Sequence, residues 1–210
     1  LHHHQGANIF ALYLEGSLAD VFSARPLMRS WIGFYSQKLS IVPQTLNFWT
    51  QVVFCWGAFA ATFFLVWKFK NDLPAASLAA FVCAFWFGWG FLSTGYSLSY
   101  PYDIPAVCFS GLGLLAIVNR RFLLLCLVIV IGTLNKETTL WLIPAFFFCE
   151  FWRLQNRKNA YFKTLGLIIL YSTIYFGIRT LVTSQEEGSF FTIQPTYIDE
   201  TGAHLRAVSN

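Results

Sequence analysis

Asn135, Lys136, Glu137 and Thr138 interrupt an apolar run that extends from 122 to 152. An ammonium and a carboxylate at membrane depth each cost at least a few kcal/mol unless paired or wetted. Neighbours on a helix point about 100° apart, so Lys136 and Glu137 neutralise each other poorly and each needs another partner. Asp103, in Tyr102-Asp103-Ile104-Pro105, is the expected partner of Lys136. Two more acids, Glu15 and Asp20, and two guanidinium groups, Arg25 and Arg29, stand near the N-terminus. Arg25 and Arg29 are four apart and share a helical face, where they can hold a phosphate bidentately. Carboxylates of this kind can take a proton from a hydroxyl, and cations can hold an anionic leaving group. Structural roles compete with each assignment. Asp103 suits the start of a helix, where exposed N–H groups and the dipole favour a carboxylate. Arg25 and Arg29 with Trp31 can anchor to headgroups, Lys136 and Glu137 can join helices, and Thr138 or Thr139 can cap.

Other chemistry is missing. There is no phosphate-binding lysine loop, no Gly-rich nucleotide fingerprint and no haem attachment motif. Cys55, Cys83, Cys108, Cys126 and Cys149 all lie in apolar blocks without metal-site spacing and read as small buried hydrophobes. His2-His3-His4 has no carboxylate partner at helical spacing and reads as a tag remnant or a native triplet. No metal site is expected from the residues themselves, and nothing points to nucleic acid.

The elements that must position these groups follow from composition. The chain is 56% hydrophobic and 11% charged, with 23 Phe, 9 Tyr and 8 Trp, whereas soluble domains carry roughly 25% charged residues. A β-barrel would show short alternating segments rather than long apolar blocks. The expected fold is all-α: a polytopic transmembrane helical bundle with an outer amphipathic helix and a short helical hairpin. Spans are predicted at 48–67, 73–92, 104–119 and 164–182, within a transmembrane region of 48–182. Pro74 and Pro105 fall near helix starts, where their missing N–H is not needed. Arg179 lies near enough to the end of its span to snorkel.

As one helix, the 122–152 run would be about 46 Å long, against a hydrocarbon core of roughly 30 Å. Arg120 and Arg121 precede it, and Arg153, Arg157 and Lys158 follow, so both ends belong on one side. It is therefore predicted to fold as a hairpin over 121–152 with its tip at 135–138, near the outer interface or recessed within the bundle, because each arm of about 15 residues reaches only roughly 23 Å. Lys68, Lys70, Arg120, Arg121, Arg153, Arg157, Lys158 and Lys163 place eight of the fourteen basic residues in three short turns, which the positive-inside rule assigns to the cytoplasm. Residues 1–47, 93–103, the tip and 183–210 then lie outside. Within 1–47, Ile9, Phe10, Leu12, Tyr13, Leu14, Leu18, Val21 and Phe22 fall mostly on one helical face and predict a helix lying in the interface. The outer segment 183–210 holds no motif. The chain begins at Leu1 without a signal-peptide pattern, and it is expected to be a piece of a longer protein with further helices on both sides.

Tyr102-Asp103-Ile104-Pro105, a Gly-containing apolar helix, two Arg, a short apolar arm and Thr133-Leu134-Asn135-Lys136-Glu137-Thr138 together resemble a pattern of bacterial polytopic membrane proteins similar to the GT-C class of glycosyltransferases. Arg25-Pro26-Leu27 is similar too, and the resemblance covers roughly residues 20–140. It implies a transferase in the bacterial inner membrane that uses a polyprenyl-phosphate sugar on the outer face, with a glycan or lipid acceptor. In that class an acid in the first outer loop serves as base or metal ligand, which here means Glu15 or Asp20 without a paired-acid motif. A divalent metal enters only through the resemblance. On this reading Asp20, Glu15 and Glu137 are the catalytic candidates, and Arg25, Arg29, Tyr102, Asp103, Asn135 and Lys136 bind substrate. The alternatives are a membrane transporter, which normally carries ionisable residues or broken helices near the midplane, and a non-enzymatic assembly subunit.

Overall fold

A computed structural model describes residues 26–87, 102–153 and 157–183, and these are helical almost throughout. In chain order the helices are α1 (Pro26–Leu39), α2 (Pro43–Lys70), α3 (Leu73–Phe87), α4 (Asp103–Val118), α5 (Phe122–Asn135), α6 (Leu142–Arg153) and α7 (Arg157–Thr183). A 3-10 turn, Glu137–Trp141, joins α5 to α6. Among the described residues, two helices are long and apolar enough to cross a membrane: α2, and α7 over Lys158–Thr180. Both are longer than the 48–67 and 164–182 read from hydropathy, because polar turns at their ends continue the helix. Part of the region read as an outer loop is also helical, as α1 and the first turn of α2. The amphipathic stretch before Arg25 lies outside the described residues.

Local signals set the boundaries. Pro43 opens α2, where a proline loses no hydrogen bond. Asn71 ends it in the left-handed conformation (φ 50°), and its N–H returns to the Trp67 carbonyl at 2.7 Å. After α4, Arg120 is also left-handed (φ 58°), and the Arg120 and Arg121 N–H groups bond the Ile117 and Ala116 carbonyls. That is the paired closure of a Schellman turn, and it reverses the chain into α5.

Ring and side-chain contacts give the directions. Phe54 meets Phe109 and Gly111 lies against Ala61, so α2 and α4 run parallel. Phe59 meets Phe87, and Thr62 bonds Cys83, so α3 returns antiparallel to α2. Phe122, at the start of α5, meets Phe146 in α6 with ring centroids 5.7 Å apart. The chain therefore doubles back after Asn135. Arg153 Nη1 then bonds the Ile117 carbonyl at 3.3 Å, and Lys163 Nζ lies 5.5 Å from the Phe122 ring centre. Lys68, Lys70, Arg120, Arg121, Arg153 and Lys163 thus gather at one end of the bundle. The core beneath them comprises Phe109, Ile117, Leu125, Ile129, Leu142, Phe146 and Leu167. Outward faces stay apolar: Trp49, Trp56, Phe81, Leu123 and Phe162 are all exposed.

Candidate functional site

The other end of the bundle is polar. Asp103 opens α4, and Lys136 follows α5 in extended backbone (φ −160°, ψ 138°). Lys136 Nζ donates to Asp103 Oδ1 at 2.5 Å, with both side chains about a quarter exposed (24% and 27%). The ammonium also lies 5.4 Å from the Tyr102 ring centre, within range of a cation–π attraction. Asn135 is wholly buried, and its Nδ2 donates to the Tyr102 carbonyl at 2.8 Å. Nothing among the described residues donates to its Oδ1. Asn135 and Lys136 therefore grip consecutive residues, Tyr102 and Asp103, and tie the end of α5 to the start of α4.

A second set of contacts closes the turn. Thr133 Oγ1 donates to the Ile129 carbonyl at 2.6 Å and lies 3.1 Å from Thr139 Oγ1. Since its proton points to Ile129, Thr133 accepts from Thr139. A Cβ at Gly132 would collide with Thr139 Cγ2, so a glycine is what lets the turn lie flat on α5. From α7, the Tyr171 hydroxyl donates to the Glu137 carbonyl at 3.0 Å. Trp141 Nε1 donates to Ser110 Oγ at 3.2 Å and holds the far end of the turn on α4.

The expected site residues divide in two. Tyr102, Asp103, Asn135, Lys136 and Glu137 meet at the polar end. Arg29 is half-buried on α1, which packs against α2 and α5. Glu15, Asp20 and Arg25 lie outside the described residues, so the shared face of Arg25 and Arg29 is not in view. Two capping roles are corrected. Asp103 lies inside the first turn of α4 and Tyr102 holds the cap position without a side-chain bond, so the carboxylate is spent on Lys136. Thr139 caps nothing either: the residue preceding its turn is Lys136, and the buried Thr139 hydroxyl serves Thr133.

Sequence reasoning missed two things. Tyr171 touches the turn from a helix read only as a span. Asn47, Thr50 and Gln51 are buried on α2, with Gln51 Nε2 on Asn47 Oδ1 at 3.1 Å and Thr50 on the Leu46 carbonyl at 2.8 Å. Their clustering in an otherwise apolar helix was the signal. The structure also sets the depth of the tip. Tyr171 marks the level of Glu137, and α7 runs on for about 18 Å beyond it. The α2–α4 pairing puts Gln51 level with Asp103, so α2 also overtops the pair, by about 12 Å. The tip is recessed between two taller helices.

Among the described residues no three His, Cys, Asp or Glu side chains are grouped to hold a metal. No family model, no curated protein and no solved structure matches the chain.

Proposed function

We propose that this chain is part of a polytopic membrane protein, and that its polar end is the reaction site of a transferase acting on a lipid-linked sugar. Membrane insertion is supported by how little of the two long apolar helices is covered: 17% of the apolar window of α2 and 11% of that of α7 are buried. A soluble protein would have to hold those surfaces in water at a cost of roughly 25 cal/mol per Å². The basic collar belongs in the cytoplasm by the positive-inside rule, which puts the polar end and both chain termini on the outer side of a bacterial inner membrane.

The observation that carries the transferase reading is the meeting of Tyr102, Asp103, Asn135, Lys136 and Glu137 opposite that collar. In the reaction, Glu137, or an acid of the Glu15–Asp20 segment, takes the proton of an acceptor hydroxyl. The acceptor oxygen bonds the anomeric carbon, the bond from that carbon to the phosphate oxygen breaks, and the lipid phosphate leaves with the electron pair. Lys136, steadied by Asp103, faces the developing negative charge together with the arginines. The test is sugar transfer from a polyprenyl-phosphate donor by the full-length protein carrying Glu137→Gln, Asp20→Asn or Lys136→Gln. Transfer should fall at least about a hundredfold for the true base. Full transfer by all three folded variants would overturn the assignment.

One observation favours a second reading, transport: the recessed ion pair at a broken helix is the pattern of a substrate path in a transporter. Proton-coupled uptake that is lost in Asp103→Asn, with no sugar transfer by the wild type, would decide for it.

A further inference from the structure

The backbone around Glu137 is held on both sides. Before it, the Lys136 N–H bonds the Gly132 carbonyl at 2.7 Å, and the Lys136 ammonium sits on Asp103. After it, Thr139 is buried and its hydroxyl serves Thr133. These contacts leave open the rotation of the peptide plane between Glu137 and Thr138. That rotation changes ψ at Glu137, one of the two soft dihedrals of the residue, and with it the direction in which the carboxylate leaves the turn. The Tyr171 hydroxyl fixes the plane by donating to the Glu137 carbonyl at 3.0 Å.

Tyr171 is itself well held. It is 7% exposed and lies in the same core as Ile143, Phe146 and Leu167. Its ring stacks on Tyr175, with centroids 5.8 Å apart and planes 11° apart. A tyrosine has only two χ angles, so a packed ring carries its hydroxyl to one place at little entropic cost. The Glu137 carboxylate lies within electrostatic range of the same hydroxyl. The phenol proton goes to the carbonyl, so Tyr171 steadies the backbone without occupying the carboxylate oxygens.

We propose that Tyr171 is a positioning residue for Glu137: through its hydroxyl, α7 sets the peptide plane that fixes where the carboxylate stands relative to Lys136 and Asp103. The inference rests on Glu137 being the base of the proposed transferase. A base must lie within hydrogen-bond reach of the proton it takes, and a misplacement of about 1 Å can cost a hundredfold in rate.

The test compares the full-length protein with two variants. Tyr171→Phe keeps the ring and the stack and removes only the donor. Tyr171→4-aminophenylalanine restores an N–H donor at the same place. Release of undecaprenyl phosphate is measured from undecaprenyl-phosphate glucose, mannose and galactose, in native membranes that supply the acceptor and against membranes that lack the protein. Hydrogen exchange of the purified protein is measured alongside. Tyr171→Phe should lower kcat about tenfold to a hundredfold. KM for the lipid donor should stay within about twofold, since the lost contact is not one to substrate. Amides of 137–141 should exchange about fivefold faster, the effect of one net hydrogen bond. The aminophenylalanine variant should recover most of kcat. In a Glu137→Gln background Tyr171→Phe should cost nothing further, because both changes act on one group. A merely structural tyrosine would lower the yield of folded protein and leave kcat per folded molecule unchanged. That result, or a full further loss in the Glu137→Gln background, overturns the inference and leaves the transferase reading standing. Full release by Glu137→Gln removes Glu137 as the base and overturns the inference with it, leaving Glu15 and Asp20 as the remaining acids. No release by the wild type from any of the three donors overturns both.

Discussion

Lys136 Nζ stands 2.5 Å from Asp103 Oδ1 although 33 positions separate the two residues. The pair forms because α4 and α5 are joined by a tight reversal at Arg120 and run antiparallel. The first residue of one helix thereby comes level with the residue after the other. Asp103 also sits at the positive end of the α4 dipole. Its charge is stabilised twice, while that of Lys136 is stabilised by Asp103 and by the face of Tyr102.

A double-mutant cycle with Asp103→Asn and Lys136→Gln should return a coupling of about 1–3 kcal/mol, between values for exposed and buried pairs. Either single variant leaves one charge unmatched and should be less stable than the double. The measurement is unfolding of the purified protein in mixed micelles. A coupling near zero would mean that the contact adds nothing to stability.

Asn135 donates to the Tyr102 carbonyl, which also accepts from the Ala106 N–H. Asn135→Leu should therefore lose only about 1 kcal/mol, since the carbonyl keeps one partner and the buried Oδ1 disappears with the amide. Asn135→Asp replaces the donor by a buried charge facing a carbonyl oxygen and should lose about 3 kcal/mol or more. That order, aspartate worse than leucine despite its closer shape, is checked by the same unfolding assay. The reverse order would show that Asn135 matters for shape alone.

Much of this end of the molecule is readable in the sequence, and the reasons are specific. The break at Lys136 follows from a length argument, because an uninterrupted helix over 122–152 is too long for a bilayer and has cations at both ends. The Asp103–Lys136 pair follows from that break, since the reversal brings both residues to one level. Glu137 proved harder. Its backbone carbonyl is held by Tyr171, a contact set by how α7 leans on the turn, and helical periodicity carries no information about that lean. The 3-10 form of Glu137–Trp141 is equally hidden, because it depends on Gly132 admitting Thr139. The recess is legible in the arm lengths, which fall short of a full crossing, but its extent is not, because α2 and α7 continue through polar residues that hydropathy counts as loop.

Gly132 and Thr139 make a paired prediction. Gly132→Ala puts a methyl group into Thr139 Cγ2 and should destabilise by about 1–3 kcal/mol, the usual range for overpacking. Thr139→Ser removes Cγ2 but keeps the hydroxyl that serves Thr133. Adding it to Gly132→Ala should restore most of the loss, and by itself it should cost about 1 kcal/mol for the lost methyl group. Additive losses in the double variant would contradict the contact.

Orientation gives the last prediction. Thr138 and Asn119 are both exposed and lie at opposite ends of the α5 arm. In a background lacking Cys55, Cys83, Cys108, Cys126 and Cys149, Thr138→Cys should react with a small charged thiol reagent added outside intact cells. Asn119→Cys should react only after the membrane is opened. The recess adds a size dependence. Because α2 and α7 overtop the tip by about 12–18 Å, a bulky maleimide should label position 138 more slowly than a small methanethiosulfonate does. At a cysteine placed at Ser40, which is exposed between α1 and α2, the two reagents should differ little. Reaction of Thr138→Cys from the cytoplasm alone would invert the topology and remove the outer site with it. Equal rates for both reagents at 138 would place the Asp103–Lys136 pair at the membrane surface, not below it.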